Sequence, residues 1–377
     1  MHQQLKGKVG IHNKLPIGSR DDLSVAYTPG VARPCEVIAE DPDEAFKLTI
    51  KGNSVAVISD GSAVLGLGDI GPLASLPVME GKALLFREFA KIDAWPVCLD
   101  TKDPDKIIET CRLIAPSFGG INLEDISAPR CFQIEEALQD LGIPVFHDDQ
   151  HGTAIVLLAG LINAAKVVNK SLGDLRVVIN GAGAAGTAIA KLIAGVGVEE
   201  ASVEPVQDVL LCDSRGIISR DREDLNEEKE KLLTFSNANN VSGSLKDALN
   251  DADVFIGVSK GNLLTATDIS TMADNAIIFG MANPVPEIMP EDAFAGGAAV
   301  VGTGRSDFPN QVNNVLVFPG IFRGALDARA PAITSGMKIA AALALSGTVD
   351  KPSAEMILPH PLDRTVAPEI AKQVRSA

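Results

Sequence analysis

Residues Leu175-Arg176-Val177-Val178-Ile179-Asn180 run directly into Gly181-Ala182-Gly183-Ala184-Ala185-Gly186 and then into Thr187-Ala188-Ile189-Ala190-Lys191-Leu192. That is a buried strand, a G-x-G-x-x-G turn and a helix, and it commits this stretch to an open α/β sheet. Gly181 permits the tight turn, Gly183 lets the backbone approach a pyrophosphate, and Gly186 lets helix and strand pack closely. The helix N-terminus offers unpaired N–H donors and positive potential to phosphates. In a chain with 34 glycines the same letters could mark a close-packed turn without a ligand. Here both flanks fit, and the next strand, residues 209–212, ends in Asp213, where a carboxylate would hold a ribose 2′-OH. The spacing is stretched by a polar insertion at 199–208. Asp213 points to NAD, while Arg215 could accommodate a 2′-phosphate and keeps NADP open.

Short apolar runs at 54–58, 95–99, 120–123 and 143–146 read as buried strands, separated by helical spacing at 80–91, 105–114 and 130–141. A long helix over 151–168 leads to a junction at 169–174, and strands resume at 175–180, 209–212, 254–257, 276–279 and 299–301. This alternation predicts two open, mainly parallel sheet domains, the second of Rossmann type. The expected division is 1–160 for a catalytic and metal-binding domain and 161–377 for the dinucleotide domain, with the C-terminal tail able to pack back on the first. The charged stretch 220–231 reads as a surface insertion.

The net charge is −16, and the sequence carries no basic stripe of the kind that nucleic acid or an acidic membrane would require. It also means that a site for an anion must find local positive potential in a metal, a lysine, an arginine or a helix terminus. The five cysteines are scattered without a Cys-x-x-Cys pair, which fits a reducing cytoplasm. The first 14 residues lack a signal-peptide core, and apolar runs such as 154–158 are far shorter than a bilayer span.

Glu124 and Asp125 follow one strand, and Asp148 and Asp149 follow another. The carboxyl ends of parallel strands face a common crevice, so these acids can converge, and clustered carboxylates need a cation. Oxygen ligation suits Mg²⁺ or Mn²⁺. Helix capping is the competing account, since Asp60 and Asp100 follow strands too. His147 and His151 could suggest zinc, but no H-E-x-x-H register or third soft ligand accompanies them, so packing or support of the metal ligands suits them better. Lys82 is read at the start of a helix, where the dipole and burial would lower its pKa toward that of a base. A surface lysine is the alternative. Tyr27, the single tyrosine, sits in a turn-rich segment and could equally be a core residue.

Several stretches in one order resemble the malic enzyme family in its short bacterial and archaeal form. They include the run Asp22 through Ala32, Ser59-Asp60-Gly61, Leu65-Gly66-Leu67-Gly68-Asp69, Gly81-Lys82, Asn122-Leu123-Glu124-Asp125 and Phe146 through Ala154, then Ala282-Asn283-Pro284 and Asn313-Asn314-Val315. The resemblance implies Tyr27 as general acid, Lys82 as general base, and Glu124, Asp125 and Asp149 as metal ligands beside Asp148, which tunes the lysine. It implies that Asn283 and Asn314, with Asn313 adjacent, reach the substrate or the nicotinamide. One departure is Ala63, where longer relatives carry an arginine for a substrate carboxylate. The implied reaction is metal-dependent oxidative decarboxylation of malate to pyruvate and CO₂ by a cytoplasmic homodimer or higher homo-oligomer, with a site that could be completed across the interface. A hydroxy-acid or amino-acid dehydrogenase without decarboxylation is the nearer rival. A non-catalytic NAD-binding regulator is the more distant one.

Overall fold

A computed structural model of the chain describes residues 2–198 and 203–377. The first sheet comprises β1 (Ser54–Ser59), β2 (Asp93–Cys98), β3 (Gly120–Leu123) and β4 (Val145–His147), all parallel in the order β2-β1-β3-β4. β1 and β3 are buried along their whole length, which explains why they read as unbroken apolar runs. The chain leaves β1 toward β2 and returns on the other side to β3. The order therefore reverses between β1 and β3, and a crevice opens there at the carboxyl ends.

The second sheet comprises β5 (Arg176–Asn180), β6 (Asp208–Asp213), β7 (Gly216–Ile217), β8 (Val254–Gly257), β9 (Ile277–Gly280) and β10 (Val300–Thr303), in the order β10-β9-β8-β5-β6-β7. All are parallel except the two-residue β7, an antiparallel edge too short for any periodicity to reveal. Its reversal lies between β5 and β8, above the glycine-rich turn.

Several boundaries differ from the sequence expectation. The helix expected at 80–91 runs over Pro72–Ala90, because Pro72 starts its first turn and Pro77 is accommodated within it. The helix expected to reach 141 ends at Ala137. The expected surface insertion at 220–231 includes a helix, Glu227–Leu232. The insertion at 199–208 falls partly outside the described residues, which resume at 203.

The expected division at residue 160 falls inside the helix Thr153–Val168, twelve of whose sixteen side chains are buried. The stretch Asp148–Val168 is long and apolar enough to cross a bilayer, which the short runs in the sequence did not suggest, but 72% of its apolar window lies inside the protein. It is a core helix. The C-terminal helices Phe318–Asp327 and Val366–Ser376 meet the first domain. Phe86 makes edge contacts with Phe318 and Phe322 at 4.8 and 5.3 Å, and Arg323 donates to Asn53 at 2.7 Å. Burying these aromatic side chains joins the two sheets over one apolar core.

Candidate active site

β3 and β4 are paired with Leu123 opposite His147, so the residues that follow them leave adjacent strand ends. Glu124, Asp125 and Asp149 thereby meet, with one oxygen from each within 4.8 Å of the others. The Asp125 N–H donates to Asp149 Oδ2 at 2.8 Å, whereas Asp125 Oδ2 is buried without a partner. Burial and repulsion by Asp149 push the Asp125 carboxyl up to about 8. Burial and the same group of acids push Glu124 well above the usual carboxylate range, against the pull of Lys82.

A capping carboxylate looks different. Asp60, which follows β1, accepts from Ser62 and from Arg130 Nη2 and Nε, at 2.9 and 3.2 Å. The trio is unbalanced; Asp60 is not. A divalent cation would balance the trio, and its all-oxygen donor set suits Mg²⁺ or Mn²⁺. The zinc alternative finds no support, because His151 is bonded to Glu135 and no histidine belongs to the trio. The His147 ring is buried, with Nδ1 3.9 Å from Asp149 Oδ2.

Lys82 lies on the helix Pro72–Ala90, and its Nζ stands 2.8 Å from Glu124 Oε1 and 2.6 Å from Asp148 Oδ2, over the face of Phe318 at 4.1 Å. Its place on the helix and its charge both differ from expectation. Lys82 is not in the first turn, so the helix dipole does not act on it. Burial does oppose its charge, but Asp148 and Glu124 outweigh that and hold the ammonium above the ordinary lysine range. Asp148 is fully buried and is gripped by Asn314 Nδ2 at 3.1 Å. A Cβ at Gly152 would come within 1.9 Å of Asp148 Oδ1, so only glycine leaves room for that carboxylate.

The asparagines separate by role. Asn314 spends its amide on Asp148 and accepts from Thr153, and Asn313 caps the turn Asn314–Leu316 through Val315 N–H. Asn283 lies exposed after β9, and its backbone oxygen would be 2.8 Å from a Cβ on Gly66 of the first domain. That juxtaposition places the loop after β9 across the crevice. Ala63, the departure noted in the sequence, donates its N–H to Asp125 O. Tyr27 stands apart: it ends the helix Arg20–Ala26, none of whose residues is buried, and is itself 68% exposed.

In the second domain Gly181 has φ +123°, and a Cβ on Gly186 would lie 1.8 Å from Gly181 O. A Cβ on Gly183 would meet nothing within 4 Å, which is the open approach that a pyrophosphate requires. Ala184 and Ala185 begin the helix Ala184–Ile193, whose first N–H groups have no side-chain cap, and Ala182 lies between Gly181 and Gly183 in the turn before it. The Gly181 N–H donates to Cys212 O, so Asp213 lies beside the turn as expected.

Its carboxylate, however, is not free for a ribose hydroxyl. Oδ1 accepts from Arg222 and from the Arg215 N–H, and Oδ2 accepts from Arg222 and Lys229. Four donors fill the roughly four lone-pair sites of a carboxylate, and the bonds from Arg222 and Lys229 outweigh burial to hold Asp213 down at about 2. Arg222 and Lys229 lie in the charged stretch 220–231, where periodicity gives no sign of their folding back on Asp213. Arg215 itself reaches Asp224, and its side chain is largely exposed.

Malic enzyme family models match nearly the whole chain: the N-terminal domain over residues 7–139 and the NAD binding domain over 150–377. The bifunctional malic/malolactic enzyme of Bacillus subtilis is 55% identical, covering 100% of this chain and 91% of that protein. The NADP-dependent malic enzyme of Halomonas elongata is 49% identical over 94% of this chain and 82% of its own length. The crystal structure of the NAD-dependent malic enzyme of Thermotoga maritima superposes with a TM-score of 0.94 at 47% identity, covering 99% of this chain and 97% of that one.

Proposed function

The chain belongs to the malic enzyme family and is a nicotinamide-dependent oxidoreductase that decarboxylates malate to pyruvate, and on that premise we propose which of its residues carry each part of the reaction. The observation that carries the reading is the convergence of Lys82 and Asp148 on the carboxylate trio, under a loop of the nucleotide domain that supplies Asn314.

Glu124, Asp125 and Asp149 would hold Mg²⁺ or Mn²⁺. When bound, the divalent ion supplies Lewis acidity at the malate C2 oxygen and offsets the charge that Glu124 presents to Lys82, and the nicotinamide supplies the acceptor for the C2 hydride. Lys82 takes the C2 hydroxyl proton, and Asp148, 2.6 Å away, stabilises the ammonium that results. Asn314 keeps Asp148 in place by bonding both its carboxylate and its carbonyl oxygen. The C3–C4 bond then breaks, CO₂ departs, and its electron pair is left as the enolate of pyruvate. Tyr27 delivers the proton to C3. Asn283 faces the substrate and nicotinamide from the second domain.

Tyr27 presents an exposed ring beside Val25 and Leu23, which are also exposed. A second copy of the chain would cover this surface and bring Tyr27 to an active site, in a homodimer or higher homo-oligomer. Neither Lys82→Ala nor Tyr27→Phe alone should turn malate into pyruvate at a normal rate, yet mixed and reassociated variants should regain activity. Absence of any regain on subunit exchange, in an oligomer shown to exchange, would place Tyr27 in its own subunit's site.

The ribose edge carries three cations, Arg215, Arg222 and Lys229, against two carboxylates, Asp213 and Asp224. With Asp213 saturated, this edge suits a 2′-phosphate, and Arg215 and Lys229 retain N–H donors for it. The decisive assay follows CO₂ and nicotinamide reduction from malate with Mn²⁺ and either cofactor, with and without a chelator. Activity should require both malate and the metal. Lys229→Ala should raise the KM for NADP by roughly tenfold or more and change that for NAD little. Reduction without CO₂ would favour the simple dehydrogenase, and equal effects on both cofactors would remove the 2′-phosphate role.

A further inference from the structure

The turn that presents Asp148 and Asp149 is a π-type turn, Asp148–Gly152, and one buried carboxylate outside the site holds it from behind. Glu135, on the helix Arg130–Ala137, accepts the His147 N–H through Oε1 at 3.0 Å. Through Oε2 it accepts Gln150 Nε2 at 3.2 Å and engages His151 Nε2 at 2.9 Å. These three partners flank Asp148 and Asp149 on both sides. The side chains between them point away from Glu135, Asp148 to Lys82 and Asp149 to Glu124 and Asp125.

The network continues into the second domain. Lys338, on the helix Ser335–Gly347, stands with Nζ 3.2 Å from His151 Nδ1. An ammonium can only donate, so Nδ1 accepts, which makes Nε2 the protonated nitrogen and the donor to Glu135. Lys338 has no carboxylate within salt-bridge distance among the described residues, and its hydrogen bond to His151 binds the nucleotide domain to the turn.

We propose that Glu135, acting with His151, is a positioning residue for the metal centre: it fixes the turn so that Asp149 and Asp148 reach the cation and Lys82 in register. The proposal builds on the assignment of Glu124, Asp125 and Asp149 as metal ligands. Groups that orient the ligands of a metal influence affinity by roughly 10–100-fold when removed, and Glu135 orients a turn bearing one ligand and the partner of the lysine.

The test uses the full-length chain and Mn²⁺ alone as the probe, by isothermal titration without substrate. Wild type should bind and Asp149→Asn should bind far more weakly. Glu135→Gln, which is nearly isosteric but can accept through only one of its two terminal atoms, loses either the His147 N–H or the bonds from Gln150 and His151, and should weaken Mn²⁺ binding by roughly 10–100-fold. Its circular dichroism and its nucleotide affinity at the glycine-rich turn should stay at wild-type values, a split that general destabilisation would not produce. If Glu135→Gln does not fold, His151→Asn carries the decision, with weakened Mn²⁺ binding expected there too. A folded variant whose Mn²⁺ affinity stays within twofold of wild type overturns the positioning role while the ligand assignment stands. Equal affinity of wild type and Asp149→Asn overturns both.

Discussion

Lys82→Arg should lower kcat for malate oxidation by about 10²–10⁴-fold while Mn²⁺ and nucleotide binding stay within a few-fold of wild type. The guanidinium keeps a positive charge between Glu124 and Asp148, but it does not release a proton near neutral pH. Arginine thus removes the base and preserves the counter-ion. Lys82→Met removes both: it leaves Glu124 and Asp148 buried without their cation, a loss on the order of 3–5 kcal/mol when one member of a buried pair is deleted. It should therefore melt lower as well as fail to turn over. Steady-state kinetics with thermal melts of the two variants separates the roles. An arginine variant that oxidises malate at a near-normal rate would sink the base assignment.

Asp125→Asn should abolish tight Mn²⁺ binding and yet stabilise the metal-free protein. Asp125 sits at φ +53°, in the left-handed region that asparagine tolerates well, so the backbone need not move. What changes is charge. Burial and repulsion by Asp149 raise the Asp125 carboxyl to about 8 in the folded chain, above its ordinary value of 3.8. A raised carboxyl contributes stability that is full below the unfolded pKa and is lost as pH rises through the folded one. Without metal, the wild type should therefore lose stability between about pH 4 and pH 8, and the asparagine variant should lack this part of the slope. At neutral pH the variant should melt roughly 2–6 °C higher than metal-free wild type. Added Mn²⁺ should reverse the order, since only the wild type gains from binding. Melting curves at several pH values, with and without Mn²⁺, check this. A variant that melts lower without metal, or binds Mn²⁺ normally, removes Asp125 from the ligand set.

Both expectations depend on groups held in an arrangement less favourable for the empty protein than a neutral core would be. Glu124, Asp125 and Asp148 are buried together, and the pull of Lys82 offsets their burial and mutual repulsion only in part. Such a cluster persists because the strands that carry it are fixed by the apolar core beneath.

Much of the site could be read from the sequence because it depends on local rules. The glycine-rich turn is a conformational requirement confined to six residues between a strand and a helix. The acids following β3 and β4 needed only the general fact that parallel strands end on one side. Other features had no local signal. Pro72 and Pro77 hid the true start of the helix that carries Lys82, and the dipole argument failed with it. Asp213 looked like a free acceptor because Arg222 and Lys229, nine and sixteen positions on, gave no periodic hint that they fold back on it.

The sequence by itself determined the two open sheets, the nucleotide turn and the identity of the acids at the strand ends, because backbone stereochemistry and apolar periodicity act over a few neighbouring residues. Only the tertiary structure decided the charge of Lys82, the saturation of Asp213, the exposure of Tyr27 and the bracing of the turn Asp148–Gly152 by Glu135. Those properties depend on which distant groups approach within a few ångströms and how much water is excluded between them, and no stretch of chain carries that information alone.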